Sequence, residues 1–234
     1  MRIPGKVLAL VAALSIVTLA ACTDGGGNTP APTQQTPTQR LAAAKRQVDD
    51  AKTIHLKLAS SDVPKDATGV TSGDGWGAHP PAFKGTLKGT FSGIPADVDI
   101  VSVGGEVWAK LPLVPGMNKL DPKAFGVPDP AALFSTETGL SSLLTATKNP
   151  TEGQQIRSGK EVLKTITGTI PGSKVVDLFL IGDRNGTFDA TYGLTEANQL
   201  RQVELTGPFF GGGTKSTYTL VLDQYGTPVT IEKP

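Results

Sequence analysis

The sequence predicts an α+β domain: a largely antiparallel sheet with a few helices packed on one face. Three observations predict it. Short runs alternate apolar and polar residues with the two-residue period of half-buried strands. Turns rich in Gly and Asn separate many of these runs. Apolar residues at helical spacing are confined to a segment before the strands, the middle of the chain and one short later stretch.

The first element is a helix from about Arg40 to Thr53. Leu41, Ala44, Val48 and Ala51 share one face, and charges take the other. Ile54 to Ser60 is a strand, alternating Ile54, Leu56 and Leu58 with His55 and Lys57. Val70 to Trp76 is a weaker one. Gly85 to Phe91 sets Leu87 and Phe91 against Thr86, Lys88 and Thr90. Asp97 to Val103 sets Val98 and Ile100 against Asp97 and Asp99, and Gly104-Gly105 turns the chain into a returning strand from Glu106 to Leu111.

Pro112 to Pro130 is rich in proline and reads as loop. Asp129 to Thr147 reads as helix in one or two pieces, with Asp129 as cap and Pro130 in the first turn. Val162 to Ile170 is strand-like. Ser173 starts a short helix through Ile181, expected to turn Val176, Phe179 and Leu180 inward. Four closing strands are expected, at about Thr187 to Leu194, Gln199 to Thr206, Thr214 to Asp223 and Thr227 to Glu232. Aromatic residues are 6% of the chain, little bulk with which to fill a large interior. A curved sheet with helices over its mouth is compatible with a cavity.

The amino terminus carries a different message. Arg2 and Lys6 precede an apolar run from Val7 to Ala21, too short to span a bilayer, which takes about 20 residues. A basic start, a short apolar stretch and small terminal residues mark a secretory signal over residues 1–21. It ends Leu19-Ala20-Ala21-Cys22, the pattern of a bacterial lipobox. There the cysteine thiol, as the good nucleophile, takes a diacylglyceryl group. Cys22 is the only cysteine, so no intrachain disulfide is possible. Residues 22–39 lack large apolar side chains and read as a lipidated flexible tether. Residues 40–234 form one domain. Removing Arg2 and Lys6 turns the net charge of +1 into −1, which gives no electrostatic case for nucleic acid.

These residues carry a family likeness. Asp129-Pro130-Ala131-Ala132-Leu133 followed by Thr138-Gly139-Leu140-Ser141-Ser142-Leu143-Leu144, the preceding strand Gly105-Glu106-Val107-Trp108-Ala109-Lys110-Leu111, and the ending Thr219 to Pro234 resemble the mycobacterial and actinobacterial LppX/LprA/LprF/LprG lipoproteins, most of all the LprG and LprA type. The stretches around Gly73 to Gly77 and from Pro112 to Phe125 do not match.

The resemblance implies a half-barrel of antiparallel strands with helices across its concave side, similar to the periplasmic lipoprotein carriers of Gram-negative bacteria. It implies a large apolar cavity that takes the acyl chains of di- or triacylated lipids or glycolipids. It also implies carriage of those lipids between membrane and outer envelope, in some members alongside a membrane efflux transporter. The chain would be exported, monomeric and anchored to the outer face of the cytoplasmic membrane through Cys22, with no cofactor. On that basis the candidate lining is Leu87, Phe91, Val98, Ile100, Val107 and Leu111 from strands, with Leu133, Phe134, Leu140, Leu143 and Leu144 from helices. Taken singly, each of these reads as ordinary core.

Two other readings stand beside this one: a lipoprotein that docks on a transporter or envelope assembly with no cargo of its own, and an envelope enzyme acting on acyl groups. Signals for an enzyme are thin. His55 and His79 have no partner at metal-ligand spacing and read as surface histidines, and H-E-x-x-H, G-x-S-x-G and C-x-x-C patterns are missing. Gly211-Gly212-Gly213-Thr214-Lys215-Ser216 lacks the Gly-Lys-Ser/Thr ending of a phosphate loop and lies between strands. Pro208-Phe209-Phe210 reads as inward packing, Asp97 and Asp99 as a solvated strand face, and Asn185-Gly186 as a turn.

Overall fold

The computed structural model describes residues 35–234 apart from Ser92, Pro112 and Gly212. The expected signal, Cys22 and most of the expected tether lie outside the described residues. Helix α1 runs Pro37–Asp50. It begins before the expected Arg40 because Thr36 and Gln39 form a capping box. The Gln39 amide donates to Thr36 Oγ1 at 3.3 Å, and the Thr36 amide donates to Gln39 Oε1 at 2.9 Å. Pro37 occupies the first turn, where its missing N–H costs nothing. Leu41, Ala44 and Val48 are buried, as their spacing predicts.

Twelve strands form one sheet of antiparallel neighbours. β1 (Thr53–Ser61), β2 (Gly69–Ala78), β3 (Ala82–Phe91), β4 (Ile94–Val103), β5 (Glu106–Lys110) and β6 (Asn118–Leu120) make a first meander. β7 (Lys148–Glu152), β8 (Ile156–Ser158), β9 (Glu161–Pro171), β10 (Thr187–Leu194), β11 (Leu200–Gly207) and β12 (Ser216–Asp223) supply the second half. The order is β6-β5-β4-β3-β2-β1-β12-β11-β10-β9-β7, with β8 also on β9. β1 and β12 join the halves, from His55 opposite Asp223 to Ser61 opposite Thr217. Register shifts at Val70/Ser72, Lys148/Thr151 and Gly193/Leu194 bend the strands locally, as bulges do. The connection between the halves holds two 3₁₀ turns, Pro122–Phe125 and Pro130–Phe134, and helix α2 (Leu140–Ala146). Helix α3 (Gly172–Phe179) joins β9 to β10. The predicted α+β class and antiparallel sheet are those of the structure.

Three local expectations fail for physical reasons. β6, β7 and β8 lie where loop or no element was expected. They are three to five residues long, too short to show a period. α3 buries Val175 and Leu178, while Leu180 is exposed and ends the helix with a left-handed backbone (φ 58°). Of the three residues expected to turn inward, Phe179 packs against the core, Val176 is half-buried and Leu180 faces solvent. Thr227 to Glu232 is not a strand. β12 already has β1 on one edge and β11 on the other, so a hairpin partner has no free edge.

The tail instead crosses the sheet. At its start the Gly226 amide donates to the Thr53 carbonyl at 2.8 Å, and Thr53 Oγ1 donates to the Thr227 carbonyl at 2.6 Å. At its far end Lys233 pairs with Glu106 on β5 and lies over the Trp108 ring, 5.4 Å from the centroid. The path from β1 to β5 covers four strand spacings, about 19 Å, which an extended tail of this length spans. Glu106 also accepts from Lys119 of β6 at 2.5 Å. The hydrogen bonds from Lys119 and Lys233 hold its carboxyl down at about 2, below the ordinary glutamate value of about 4.3.

A lowered folded-state value gives stability that is present above the ordinary range and lost as pH falls toward the folded value. The Lys233 end of the tail should therefore release between about pH 4 and pH 2. In a Trp76→Phe background, Trp108 fluorescence should report that step, and Glu106→Gln should abolish it. An acid transition that survives Glu106→Gln would show that another group holds the tail.

Candidate functional site

The inner face of the sheet is filled in two ways. Over β9 to β12 it carries bulk: Ile166, Ile170, Tyr192, Leu194, Val203, Leu205 and Leu220 are all buried, and α1, α2 and α3 close over that region. The Tyr192 hydroxyl bonds Thr147 Oγ1 at 2.8 Å and the Leu143 carbonyl at 3.3 Å, tying α2 to the sheet. Burial pushes its ionisation upward, so it stays neutral.

Over β2 the inner face is nearly bare. Gly73, Gly75 and Gly77 take alternate positions of β2, and Gly75 stands opposite Gly85 of β3. Neighbouring side chains occupy the space. A Cβ on Gly77 would lie 2.0 Å from the Phe134 ring, one on Gly75 would lie 2.6 Å from Phe83 Cζ, and one on Gly73 would lie 2.7 Å from Leu87 Cδ2. Phe83 and Phe134 are themselves stacked, centroids 6.4 Å apart. Glycine normally weakens a strand; here it lets the ends of the rings approach the backbone closely.

Beside this floor the interior is hollow. A larger chamber of about 350 Å³ lies over β3 to β6, and a smaller one of about 70 Å³ lies over β1 and β2. They share Leu87, Val127 and Pro128. Leu87, Phe91, Val98, Ile100 and Leu111 line the larger chamber, while Leu87 and Leu133 line the smaller. The other candidates lie elsewhere. Val107 is buried on β5 opposite Leu120, Phe134 lies under Gly77 and Phe83, and Leu140, Leu143 and Leu144 pack in the closed core beneath α2.

Ile94, Ala96, Leu113, Val114, Leu120, Phe125 and Val127 also line the hollow and were not among the candidates. Most come from the proline-rich stretch read as loop. Leu113, Val114, Met117, Leu120, Phe125 and Val127 are more apolar mass than a solvated loop carries, and that was the available signal. The lining is almost wholly apolar. Tyr218 lines the smaller chamber, donates its hydroxyl to the Val70 carbonyl at 3.0 Å, and is pushed up to about 12 by burial. The Asp74 carboxylate points away, to His55 on the outer face at 2.8 Å.

A model of the LppX_LprAFG lipoprotein family matches residues 36–231. The chain belongs to this family. LprF from Mycobacterium bovis superposes with a TM-score of 0.69 at 14% identity, covering 85% of this chain and 96% of that one. LppX from Mycobacterium tuberculosis gives 0.62 at 18% identity, covering 84% and 98%. At such identities the likeness establishes the shared fold. A LolA-superfamily protein from Nitrosomonas europaea reaches only 0.32 at 9% identity over 86% of this chain and 99% of that one, too loose a likeness to bear on function. No curated protein sequence matches the chain.

The remaining chemical signals do not converge on a reaction centre in this family member. His55 is buried, not a surface residue: Trp76 covers it at 4.9 Å, and Asp223 and Asp74 meet its two ring nitrogens at 2.7 and 2.8 Å. His79 is half-buried, with Nδ1 2.6 Å from the Ala51 carbonyl and its ring edge-on to Phe134. Among the described residues no group of three His, Cys, Asp or Glu is placed to hold a metal ion, and no helix is long and apolar enough to cross a membrane. Asp97 pairs with Lys88 at 2.7 Å, and Asp99 accepts from Thr86 at 2.8 Å. Phe209 packs inward between Phe188 and Tyr218.

The glycine floor makes a graded prediction. Gly75→Ala drives its Cβ against Phe83 and the Lys84 carbonyl, 2.7 Å away, and backbone cannot yield. It should cost about 1–3 kcal/mol. Gly73→Ala meets chiefly the flexible end of Leu87 and should cost under about 1.5 kcal/mol. Urea unfolding midpoints separate the two; equal losses would mean the rings do not rest on the floor as described.

Proposed function

We propose that this protein is a cell-envelope lipoprotein that holds acyl chains of lipids or glycolipids in its two-chambered hollow and carries them between membrane and outer envelope. Acyl groups on Cys22 anchor it to the outer face of the membrane, and the protein catalyses no reaction. The observation that carries the reading is the hollow itself: a continuous apolar lining inside a fold whose other half is tightly filled. Family membership and the shared fold of LprF and LppX support it.

Physical need supports it as well. Each buried methylene is worth about 0.8 kcal/mol, so a sixteen-carbon chain costs on the order of 13 kcal/mol to expose to water. Such a chain needs an enclosing protein to cross an aqueous layer. The larger chamber, about 350 Å³, falls at the low end of the roughly 300–1,000 Å³ of small-molecule sites. Two or three chains need more room, so the reading requires the roof from Leu111 to Leu133 to lift on loading.

Native mass spectrometry of residues 35–234, produced in an actinobacterial host, tests the reading. A bound mass that denaturation releases as diacyl or triacyl lipid is expected. A bare protein mass, unchanged after incubation with actinobacterial envelope lipids, would defeat it in favour of a docking lipoprotein without cargo. Leu87 touches both chambers, so Leu87→Trp should abolish lipid co-purification while the far-ultraviolet circular dichroism stays that of wild type. Lipid retained at the wild-type level would remove Leu87 from the binding path.

A further inference from the structure

Large apolar side chains that stand in solvent are few among the described residues, and three of them meet at one place. Leu113 is fully exposed, Ile94 is 66% exposed and Val114 is 42% exposed. Ile94 opens β4, and Leu113 and Val114 follow β5. Because β4 and β5 are antiparallel, both segments lie at the same end of the sheet. All three also line the larger chamber. An apolar surface therefore continues from Leu87, where the chambers meet, to Leu113 in open solvent. A side chain that serves only the core would be folded in; an exposed cluster continuous with a cavity marks an interaction site.

We propose that this rim docks the open end of the hollow onto a lipid bilayer. Ile94 and Leu113 seat among the acyl chains, and a lipid then moves between bilayer and hollow without crossing water. The proposal rests on the acyl-binding reading above. Three arguments select a bilayer as the occupant. The rim has the chemistry of the chamber it continues, so what touches the rim is apolar where it touches. Three side chains on two segments are far less than the roughly 1,200–2,000 Å² of a stable protein–protein interface. The diacyl anchor expected at Cys22 already holds the chain at a bilayer, so the rim meets that surface without a separate partner.

Chain length allows the contact. Gln35 is bonded to Asn198 at 2.7 Å, in the turn between β10 and β11, at the sheet end opposite the rim. A ten-residue strand covers about 33 Å. From Cys22 to Gln35 the chain can reach about 43–47 Å when extended. The rim therefore reaches the bilayer in which the anchor sits.

The test uses the full lipidated chain on vesicles of phosphatidylcholine and phosphatidylglycerol. Cys22 is blocked by lipid, so a polarity-sensitive fluorophore on Leu113→Cys is the only label. A second chain carries the label on Glu196→Cys, in the β10–β11 turn. Vesicles should shift the emission at 113 to the blue and lower its quenching by iodide several-fold, while the label at 196 stays accessible. A label at 113 that remains open to iodide on vesicles overturns the proposal, whether or not the chain floats with them or carries lipid. Shielding at 113 in residues 35–234 alone, free of acyl groups and vesicles, also overturns it, since a second copy or the protein's own hollow then covers the rim. Equal shielding at both positions means general adsorption and overturns it too. Flotation reports the anchor and native mass spectrometry reports the cargo, so failure of those readings is distinguishable from failure of the rim.

Discussion

The Phe83 ring rests on the Gly75–Gly85 pair, and this contact governs what the inner face can do. A Cβ at either glycine would strike the ring or the neighbouring backbone at under 3 Å. With glycine there, the far end of the ring comes down close to both strands. Phe134 repeats the arrangement on Gly77, and Leu87 repeats it on Gly73. This half is covered by the short 3₁₀ turn Pro130–Phe134, which brings Phe134 down onto Gly77, while α1, α2 and α3 pack mainly on the other half. The chain roofs the hollow with the segment that carries Phe125, Val127, Pro128 and Leu133. Over β9 to β12 the inward residues are large and upright, and α1, α2 and α3 close upon them. One sheet thus holds a solid core and a hollow side by side.

The seam between the halves carries the mechanical burden. β1 and β12 are remote in sequence, and their pairing is the only sheet contact that joins the two meanders among the described residues. On the inner side Ile54, Leu56, Leu220 and Leu222 are buried across it. On the outer side His55 of β1 reaches Asp223 of β12 and Asp74 of β2 at once. The tail leaves the same place and runs to Glu106 on β5. The hollow half is therefore fastened at its inner boundary by the His55 bridge and near its outer edge by the Glu106 knot. Its roof is tied to the sheet by the β5–β6 pairing and by Ser102 Oγ donating to Asp129.

Long strands with alternating side chains were legible because their period survives tertiary packing: β1, β3, β4, β9, β10, β11 and β12 lie within a few residues of their expected places. β6, β7 and β8 are too short to show a period, and other features depend on partners remote in sequence. β2 reads as weak because its glycines have no side-chain pattern of their own; only Phe83, Leu87 and Phe134, which lie elsewhere in the chain, give them meaning. Thr227 to Glu232 alternates like a strand, and only the occupied edges of β12 forbid it. His55 sits on the polar face as its position predicts, yet Trp76 and two aspartates bury it. For the hollow, strand residues such as Leu87, Val98 and Ile100 followed from alternation. The irregular segment from Leu111 to Leu133 has no period, so only its apolar content pointed inward.

The lining also constrains how selection among ligands can work. No charged side chain is aimed into either chamber: the Asp74 carboxylate faces outward to His55, and Tyr218 is held neutral by burial with its hydroxyl spent on the Val70 carbonyl. Discrimination inside the hollow therefore rests on length and bulk. Each added methylene contributes about 0.8 kcal/mol while room remains, and nothing once the roof resists. On the proposed acyl-binding role, a head group meets polar protein outside the chambers, beyond the apolar rim. An interior of this kind releases its ligand without breaking hydrogen bonds, because it never made any. For the acyl cargo proposed above, exchange is then limited by exposure of the chain to water, and the rim proposed at Ile94 and Leu113 is where the fold can shorten that exposure.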